Sequence, residues 1–145
     1  MIERTLVLPV SAEELWRELT EPESMGEWFG ATVEWDLTPG GRVHVRDDED
    51  GEPERVGLID GVTPARELQF RWWPKDDESD SSEVTYTLSP DDEGTRLTVT
   101  ERPLRPVASA SAHAGAVCFS LWDHRLLCMW LGASVRRVGA AQTWC

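Results

Sequence analysis

The feature that most constrains the fold of this chain is an apolar stripe near its end, in a segment predicted to form one long helix from Ala114 to about Val138. At 3.6 residues per turn, one side of that helix carries Cys118, Trp122, Leu126, Met129 and Ala133. Such a helix has to bury its apolar side, and the preceding residues supply a surface because they alternate between apolar and polar side chains as strands do. The sequence therefore predicts an α+β fold in which a curved antiparallel sheet of about six to seven strands wraps around a long C-terminal helix.

Two short helices are predicted after the first strand. The expected N-terminal elements are a strand over Ile2–Pro9, a helix over Ser11–Thr20 and a helical turn over Glu23–Glu27. The first helix begins at a capping box, in which the Ser11 hydroxyl accepts from the Glu14 amide and the Glu14 side chain returns to the Ser11 amide. It ends before Pro22, because a proline biases the preceding residue away from helix. The turn presents Trp28 and Phe29, which either plug the end of a core or form a wall of a ligand pocket.

The middle of the chain is predicted to form the remaining strands. They cover Ala31–Leu37, Arg42–Arg46, Arg55–Thr63, Glu67–Trp73, Glu83–Leu88 and Thr95–Glu101. A turn at Thr38-Pro39-Gly40-Gly41 joins the first two of these, since glycine tolerates the positive φ that tight turns use. Val43 and Val45 face one side of their strand, so His44 is expected to face solvent. A catalytic His44 would require a slip in register or a bulge.

Length and charge limit the number of domains and the kinds of partner that this chain can have. A chain of 145 residues fits one domain, 1–145, and its formal net charge of -13 argues against a nucleic acid or an anionic membrane as partner, because both require a basic face. The chain opens without a signal-peptide pattern and contains no apolar run long enough to span a membrane, so a cytoplasmic location is expected. Its cysteines have no CxxC spacing, and no metal or cofactor is predicted.

Several segments occur in the order typical of one family. They are Pro9–Glu23 followed by Trp28-Phe29-Gly30, Gly40-Gly41-Arg42, Gly57 with Val62-Thr63-Pro64, Leu68–Trp72 and Trp122–Leu127. This set resembles the domains similar to the activator of the heat-shock-protein-ninety ATPase, within the START-like or SRPBCC superfamily, over nearly the whole chain. The resemblance implies a helix-grip fold, in which the sheet wraps the last helix and can leave a deep apolar cavity. This chain departs from the family pattern at Leu121, where glycine is commoner.

The first functional hypothesis is a domain that binds a small apolar or aromatic ligand between the sheet and the C-terminal helix, without covalent chemistry. Aromatic side chains can line such a pocket, although they also fill cores. The residues predicted to line it are Trp28, Trp35, Val45, Ile59, Phe70, Trp72, Tyr86, Val99, His113, Cys118, Trp122 and Leu126.

Other functions stay open at this point. The family resemblance implies a cochaperone-like protein-binding module as one alternative, and a polyketide cyclase or hydrolase that uses His113 or Tyr86 as another. An enzyme is the less favoured reading, because the histidines do not converge by any spacing in the sequence and no catalytic residues are assigned. Leu127 and Leu131 lie on the side of the last helix away from Trp122, where a one-sided helix should be polar. The tail through Trp144, a second copy of the chain or another protein is therefore expected to cover them, and a homodimer through this helix is one hypothesis.

Overall fold

A computed structural model describes residues 1–29, 31–46, 54–104, Trp122, Leu126 and Met129. In these residues the chain forms one antiparallel sheet, with two helices between its first and second strands. For residues 26–29 only the backbone is described. The elements are β1 (Ile2–Leu8), α1 (Ala12–Thr20), α2 (Pro22–Phe29), β2 (Thr32–Trp35), β3 (Arg42–Arg46), β4 (Arg55–Thr63), β5 (Glu67–Pro74), β6 (Ser82–Asp91) and β7 (Gly94–Pro103).

The sheet has the order β1-β7-β6-β5-β4-β3-β2, and every neighbouring pair of these seven strands is antiparallel. The predicted curved antiparallel sheet is therefore confirmed. The first strand of the chain pairs with the last, since Ile2 of β1 lies opposite Glu101 of β7. The predicted strand Ala31–Leu37 is shorter than expected, as β2 covers Thr32–Trp35. The short second helix is longer than expected and begins at Pro22.

Helix α1 begins and ends where the sequence predicts. Ser11 has an extended backbone, with φ -70° and ψ 161°, and its hydroxyl oxygen accepts a 3.2 Å hydrogen bond from the Glu14 amide. This satisfies one of the amides that a helix start leaves without an internal partner. The helix stops at Glu21, whose backbone is extended, and Pro22 then occupies the first turn of α2, where its missing N–H costs nothing. Leu15 and Leu19 are fully buried and hold α1 on the sheet.

The turn between β2 and β3 requires its two glycines for different reasons. Gly40 has φ +84°, a conformation that other residues rarely adopt. A Cβ on Gly41 would lie 1.9 Å from the backbone oxygen of Asp36, so the chain can fold back there only without a side chain. This turn therefore fixes where β3 begins and which of its residues face the core.

Alternation in each strand separates a buried inner face from an exposed outer face. Val43 and Val45 are 2% and 7% exposed on the inner face, and His44 points outward, as predicted. On that outer face, His44 Nε2 lies 3.2 Å from Glu54 Oε2, and Lys75 Nζ lies 3.4 Å from the same oxygen. The His44 hydrogen bond, with the Lys75 charge, holds the pKa of Glu54 below its ordinary value.

The inner face packs against residues from the predicted C-terminal helix. Trp122, Leu126 and Met129 are helical and are 1%, 6% and 2% exposed, in one core with the sheet residues. Their i, i+4, i+7 spacing is that of one helix side, as the stripe predicts. The rest of the predicted helix Ala114–Val138 lies outside the described residues. The inner face of the sheet and these helical side chains together form the region in which a ligand site was predicted.

Candidate functional site

A cluster of aromatic rings covers the inner face from β2 to Trp122. Phe70 is its centre, with ring centroids 5.8 Å from Trp35, 5.5 Å from Trp72 and 5.7 Å from Tyr86 in edge-to-face geometry. Trp122 stacks on Trp72 at 6.1 Å and meets the edge of Tyr86 at 5.8 Å. These separations are those of contacting rings. The described part of the cluster is therefore packed, and a ligand has to bind beside it.

The cluster ends at a carboxylate that accepts hydrogen bonds on both oxygens. Trp72 Nε1 lies 3.0 Å from Glu101 Oε1 and 3.1 Å from Ser82 Oγ. The Ser82 hydroxyl donates to Glu101 Oε1 at 2.7 Å, and Trp122 Nε1 donates to Glu101 Oε2 at 2.7 Å. Hydrogen bonds to a charged acceptor are stronger than neutral ones. Glu101 thereby fixes two indole rings and ties Trp122 to the last strand.

Strand register brings these polar groups together. Trp72 of β5 lies directly opposite Ser82 of β6, and Val84, two residues further along β6, lies opposite Glu101 of β7. The sequence reasoning missed both Ser82 and Glu101. A signal for Glu101 existed, because it follows Leu97 and Val99 in the same period-two phase and so has to share their inner face.

One arginine also lies on this face. Arg55 of β4 is opposite the buried Val45, and its guanidinium carbon lies 4.9 Å from the centroid of the Trp72 ring, within cation–π range. Arg55 is half-buried. Next to it on the same face, Gly57 lies opposite Trp72, and a Cβ on Gly57 would be 2.0 Å from the Arg71 carbonyl oxygen. The close approach of the two strands at Gly57 therefore sets the position of Trp72. Sequence reasoning did not single out Arg55.

We define the inner-face end made by Arg55, Trp72, Ser82, Glu101 and Trp122 as the polar end of the site. It brings together one guanidinium, one carboxylate and two buried indole rings.

Most of the predicted lining residues lie on the inner face of the sheet or pack against it. Those that are buried on the inner face or against it are Val45, Ile59, Phe70, Trp72, Tyr86, Val99, Trp122 and Leu126. Trp35 is half-buried, and its indole N–H donates to the Thr20 carbonyl oxygen at 3.0 Å, which anchors the ring to the end of α1. For Trp28 only the backbone is described. His113 and Cys118, like Leu127 and Leu131 of the predicted partner surface, lie outside the described residues.

A groove of about 370 Å³ lies away from the polar end. Its apolar floor includes Leu8, Leu15 and Met129, and α1 supplies Glu14 and Glu18 along its rim. Met129 follows Trp122 by seven residues, which is ~10 Å along a helix. The groove is thus an open space between the end of β1, α1 and Met129.

Neither a group of metal-binding side chains nor a membrane-spanning helix occurs among the described residues. Among the residues that the structure describes, no three His, Cys, Asp or Glu side chains come together in a group that could hold a metal ion. A membrane crossing takes about 20 apolar residues in one helix, and none of the helices within the described part of the chain is long and apolar enough.

Comparison with known proteins identifies relatives over most of the chain. The sequence model of the family described as "Activator of Hsp90 ATPase homolog 1-like protein" matches residues 9–123. Among solved structures, protein MLL2253 from Mesorhizobium loti is 25% identical, with 87% of this chain and 90% of that chain covered and a TM-score of 0.68. No curated protein sequence matches the chain.

Two further solved structures are similar. The Aha1 dimer from Colwellia psychrerythraea is 16% identical, with 92% of this chain and 96% of that chain covered and a TM-score of 0.72. DynU16, a protein of the dynemicin biosynthetic locus, is 26% identical with a TM-score of 0.68. The match covers 99% of this chain and 49% of DynU16, so this chain spans about half of that protein.

Proposed function

We propose, from the premise that this chain belongs to the Activator of Hsp90 ATPase homolog 1-like family, that it binds a small aromatic ligand at the polar end of the inner face. The family resemblance seen in the sequence motifs is confirmed by that membership. The family alone does not select a function. The choice of a ligand-binding role rests on the geometry of the site.

The observation that carries the proposal is the convergence of polar groups on an aromatic wall. Small-molecule sites are mostly apolar or aromatic, with a few polar groups that orient the ligand. The polar end has this composition, because Arg55 lies over the ring of Trp72 and Glu101 lies at the indole N–H edges of Trp72 and Trp122. A face built only for packing has no need of a carboxylate and a guanidinium, since burying charge costs free energy unless it is paired. A flat ligand can stack beside these indoles and hydrogen-bond at their edge.

The similarity to DynU16 supports a small organic ligand. That protein belongs to the dynemicin biosynthetic locus and is 26% identical to this chain. A relative in a biosynthetic locus favours a small molecule as the ligand. The ligand of this chain is accordingly sought among aromatic natural-product-like compounds.

The test uses 2-naphthamide, a neutral bicyclic probe, and follows the indole N–H signals of the tryptophans by 1H–15N NMR. Binding at the polar end should shift the Trp72 indole signal first. Trp72→Phe should weaken binding about fivefold, since an aromatic contact contributes ~1 kcal/mol. Trp73→Phe is the matched control, because Trp73 is the next residue of β5 and points to the outer face.

Three results would contradict this proposal. The first is the absence of any saturable shift at millimolar probe. The second is an equal loss of affinity in the two variants. The third is a shift confined to the Met129 methyl signal, which would place binding in the groove at α1. Native mass spectrometry of protein purified without denaturation adds an independent reading, since a co-purified ligand appears as extra mass.

A second candidate function is a protein-binding module, which the family description favours. The Colwellia relative is described as a dimer, although its 16% identity carries the fold alone. The homodimer predicted through Leu127 and Leu131 stays a prediction. The same native mass spectra report it directly, as a species of twice the chain mass at micromolar concentration.

A further inference from the structure

Arg55 faces the other side of the sheet from Arg71, Arg96 and Arg102. Arg71, Arg96 and Arg102 lie on the outer face or at a turn, and each is 41% to 58% exposed. Arg55 lies on the inner face, since it is opposite the buried Val45 and in phase with Gly57. It is therefore placed where a charged group is costly unless something satisfies it.

The outer arginines have carboxylate partners. Arg71 Nε lies 3.0 Å and 2.9 Å from the two carboxylate oxygens of Asp60. Arg96 contacts Asp91 at 2.8 Å, and Arg102 contacts Glu83 at 3.0 Å.

Within the described ranges, no carboxylate lies within ion-pair distance of Arg55, whose recorded contact is the face of Trp72. A guanidinium stacked on an aromatic ring keeps its N–H donors at its edge, where they are open to a planar acceptor.

Glu101 is not the acceptor for the Arg55 donors. Its two oxygens already accept hydrogen bonds from Trp72, Ser82 and Trp122. Those donors offset part of its negative charge, which lowers the repulsion that an anion near Trp72 would meet. The polar end therefore has a carboxylate whose oxygens are occupied and a guanidinium that has no carboxylate partner among the described residues.

We propose that Arg55 selects an anionic ligand, an aromatic carboxylate whose ring stacks beside Trp72 while its carboxylate accepts a paired hydrogen bond from the guanidinium. This inference rests on the proposed ligand-binding function and adds the charge of the ligand to it. An arginine and a carboxylate match in geometry because the planar fork presents two parallel donors. The chain carries a formal charge of -13, so without such a group an anion would be repelled.

The test compares 2-naphthoate with 2-naphthamide, which share one ring system and differ in charge. Dissociation constants are measured by the same indole NMR titration on wild type, Arg55→Gln and Arg71→Gln. Wild type should prefer the carboxylate by about tenfold, which corresponds to ~1.4 kcal/mol. In Arg55→Gln the ratio of the two affinities should fall to about one, whatever the change in the affinity for 2-naphthamide itself. Arg71→Gln removes the same charge from the outer face and should keep the preference.

Ionic strength and a second variant test whether the charge and the planar shape of the guanidinium cause the preference. The preference of wild type should fall as ionic strength rises, because salt screens the attraction. Arg55→Lys keeps the charge but loses the planar fork, so its preference should be intermediate, and it replaces Arg55→Gln if that variant fails to fold.

The possible failures separate this inference from the proposed function. If 2-naphthamide binds at Trp72 but Arg55→Gln prefers 2-naphthoate as strongly as wild type does, the inference is wrong and ligand binding stands. The same conclusion follows if wild type binds both probes equally. If neither probe binds wild type, the proposed function fails and the inference fails with it.

Discussion

Replacing Glu101 by alanine should destabilise the protein, because this carboxylate of β7 joins β5, β6 and the helical residue Trp122. The side chain accepts from Trp72 Nε1 at 3.0 Å, from Ser82 Oγ at 2.7 Å and from Trp122 Nε1 at 2.7 Å. Hydrogen bonds to a charged group contribute about 1.5–3 kcal/mol each before relaxation. Trp72 and Ser82 keep their mutual contact, and water can reach the half-buried site, so we expect a net loss of about 2–4 kcal/mol.

Glutamine at the same position should cost less. Glu101→Gln keeps one acceptor oxygen and the side-chain shape, but it turns the other oxygen into a donor that faces an indole N–H. We expect a loss of about 1–2 kcal/mol, below that of the alanine variant.

Urea unfolding, followed by tryptophan fluorescence and circular dichroism, measures both losses. With a slope of about 2 kcal/mol per molar urea, the Glu101→Ala midpoint should fall by roughly 1–2 M.

The control for this prediction lies on the neighbouring strand. Glu83 of β6 pairs with Arg102 on the outer face at 3.0 Å, and the arginine is 58% exposed. An exposed ion pair of this kind contributes about 0–1 kcal/mol, so Glu83→Ala should change stability little. If Glu101→Ala lost no more free energy of unfolding than Glu83→Ala, the carboxylate would not hold the indoles as described. An unchanged Trp122 indole NMR signal in Glu101→Ala would lead to the same conclusion.

Two further predictions concern the sheet. Gly57→Ala should destabilise by about 1–3 kcal/mol, because its Cβ would lie 2.0 Å from the Arg71 oxygen, whereas Gly61→Ala has space and should stay within about 0.5–1 kcal/mol of wild type in urea unfolding. Folding lowers the pKa of Glu54, so this group should stabilise the protein above the ordinary glutamate pKa, and that stabilisation should be lost as the pH falls through the folded pKa. His44→Ala should raise the pKa of Glu54 in a carboxyl NMR titration.

Each of these has a clear contrary result. Equal unfolding free energies for Gly57→Ala and Gly61→Ala would show that the strands can separate at Gly57 at no cost. A Glu54 pKa that stays the same in His44→Ala would show that the imidazole is not the main cause of its shift.

Local chemistry made much of the fold predictable. Ser11 caps α1, and Gly40 adopts the positive φ expected of its turn. The outward direction of His44 followed from period-two alternation, which is decided within one strand. These features depend on neighbours a few residues apart, so the sequence contains all the information that they require.

The polar end was less predictable, because it depends on which strands pair and in what register. Ser82 is the first residue of β6 and Glu101 lies near the end of β7, and each belongs to a polar stretch that is typical of a solvated strand end. Arg55 follows an acidic segment and was not singled out from the sequence. Alternation assigns a residue to a face, but it does not say which residue of another strand lies beside it.

The sequence by itself determined the order of strands and helices and the apolar stripe of Trp122, Leu126 and Met129, because both follow from residue spacing. Its motifs also indicated the family, by resemblance. Only the tertiary structure decided that Trp122 lies against Glu101 and that Arg55 lies over Trp72. Those contacts join residues far apart in the chain, and the burial and register that create them exist only once the sheet has formed.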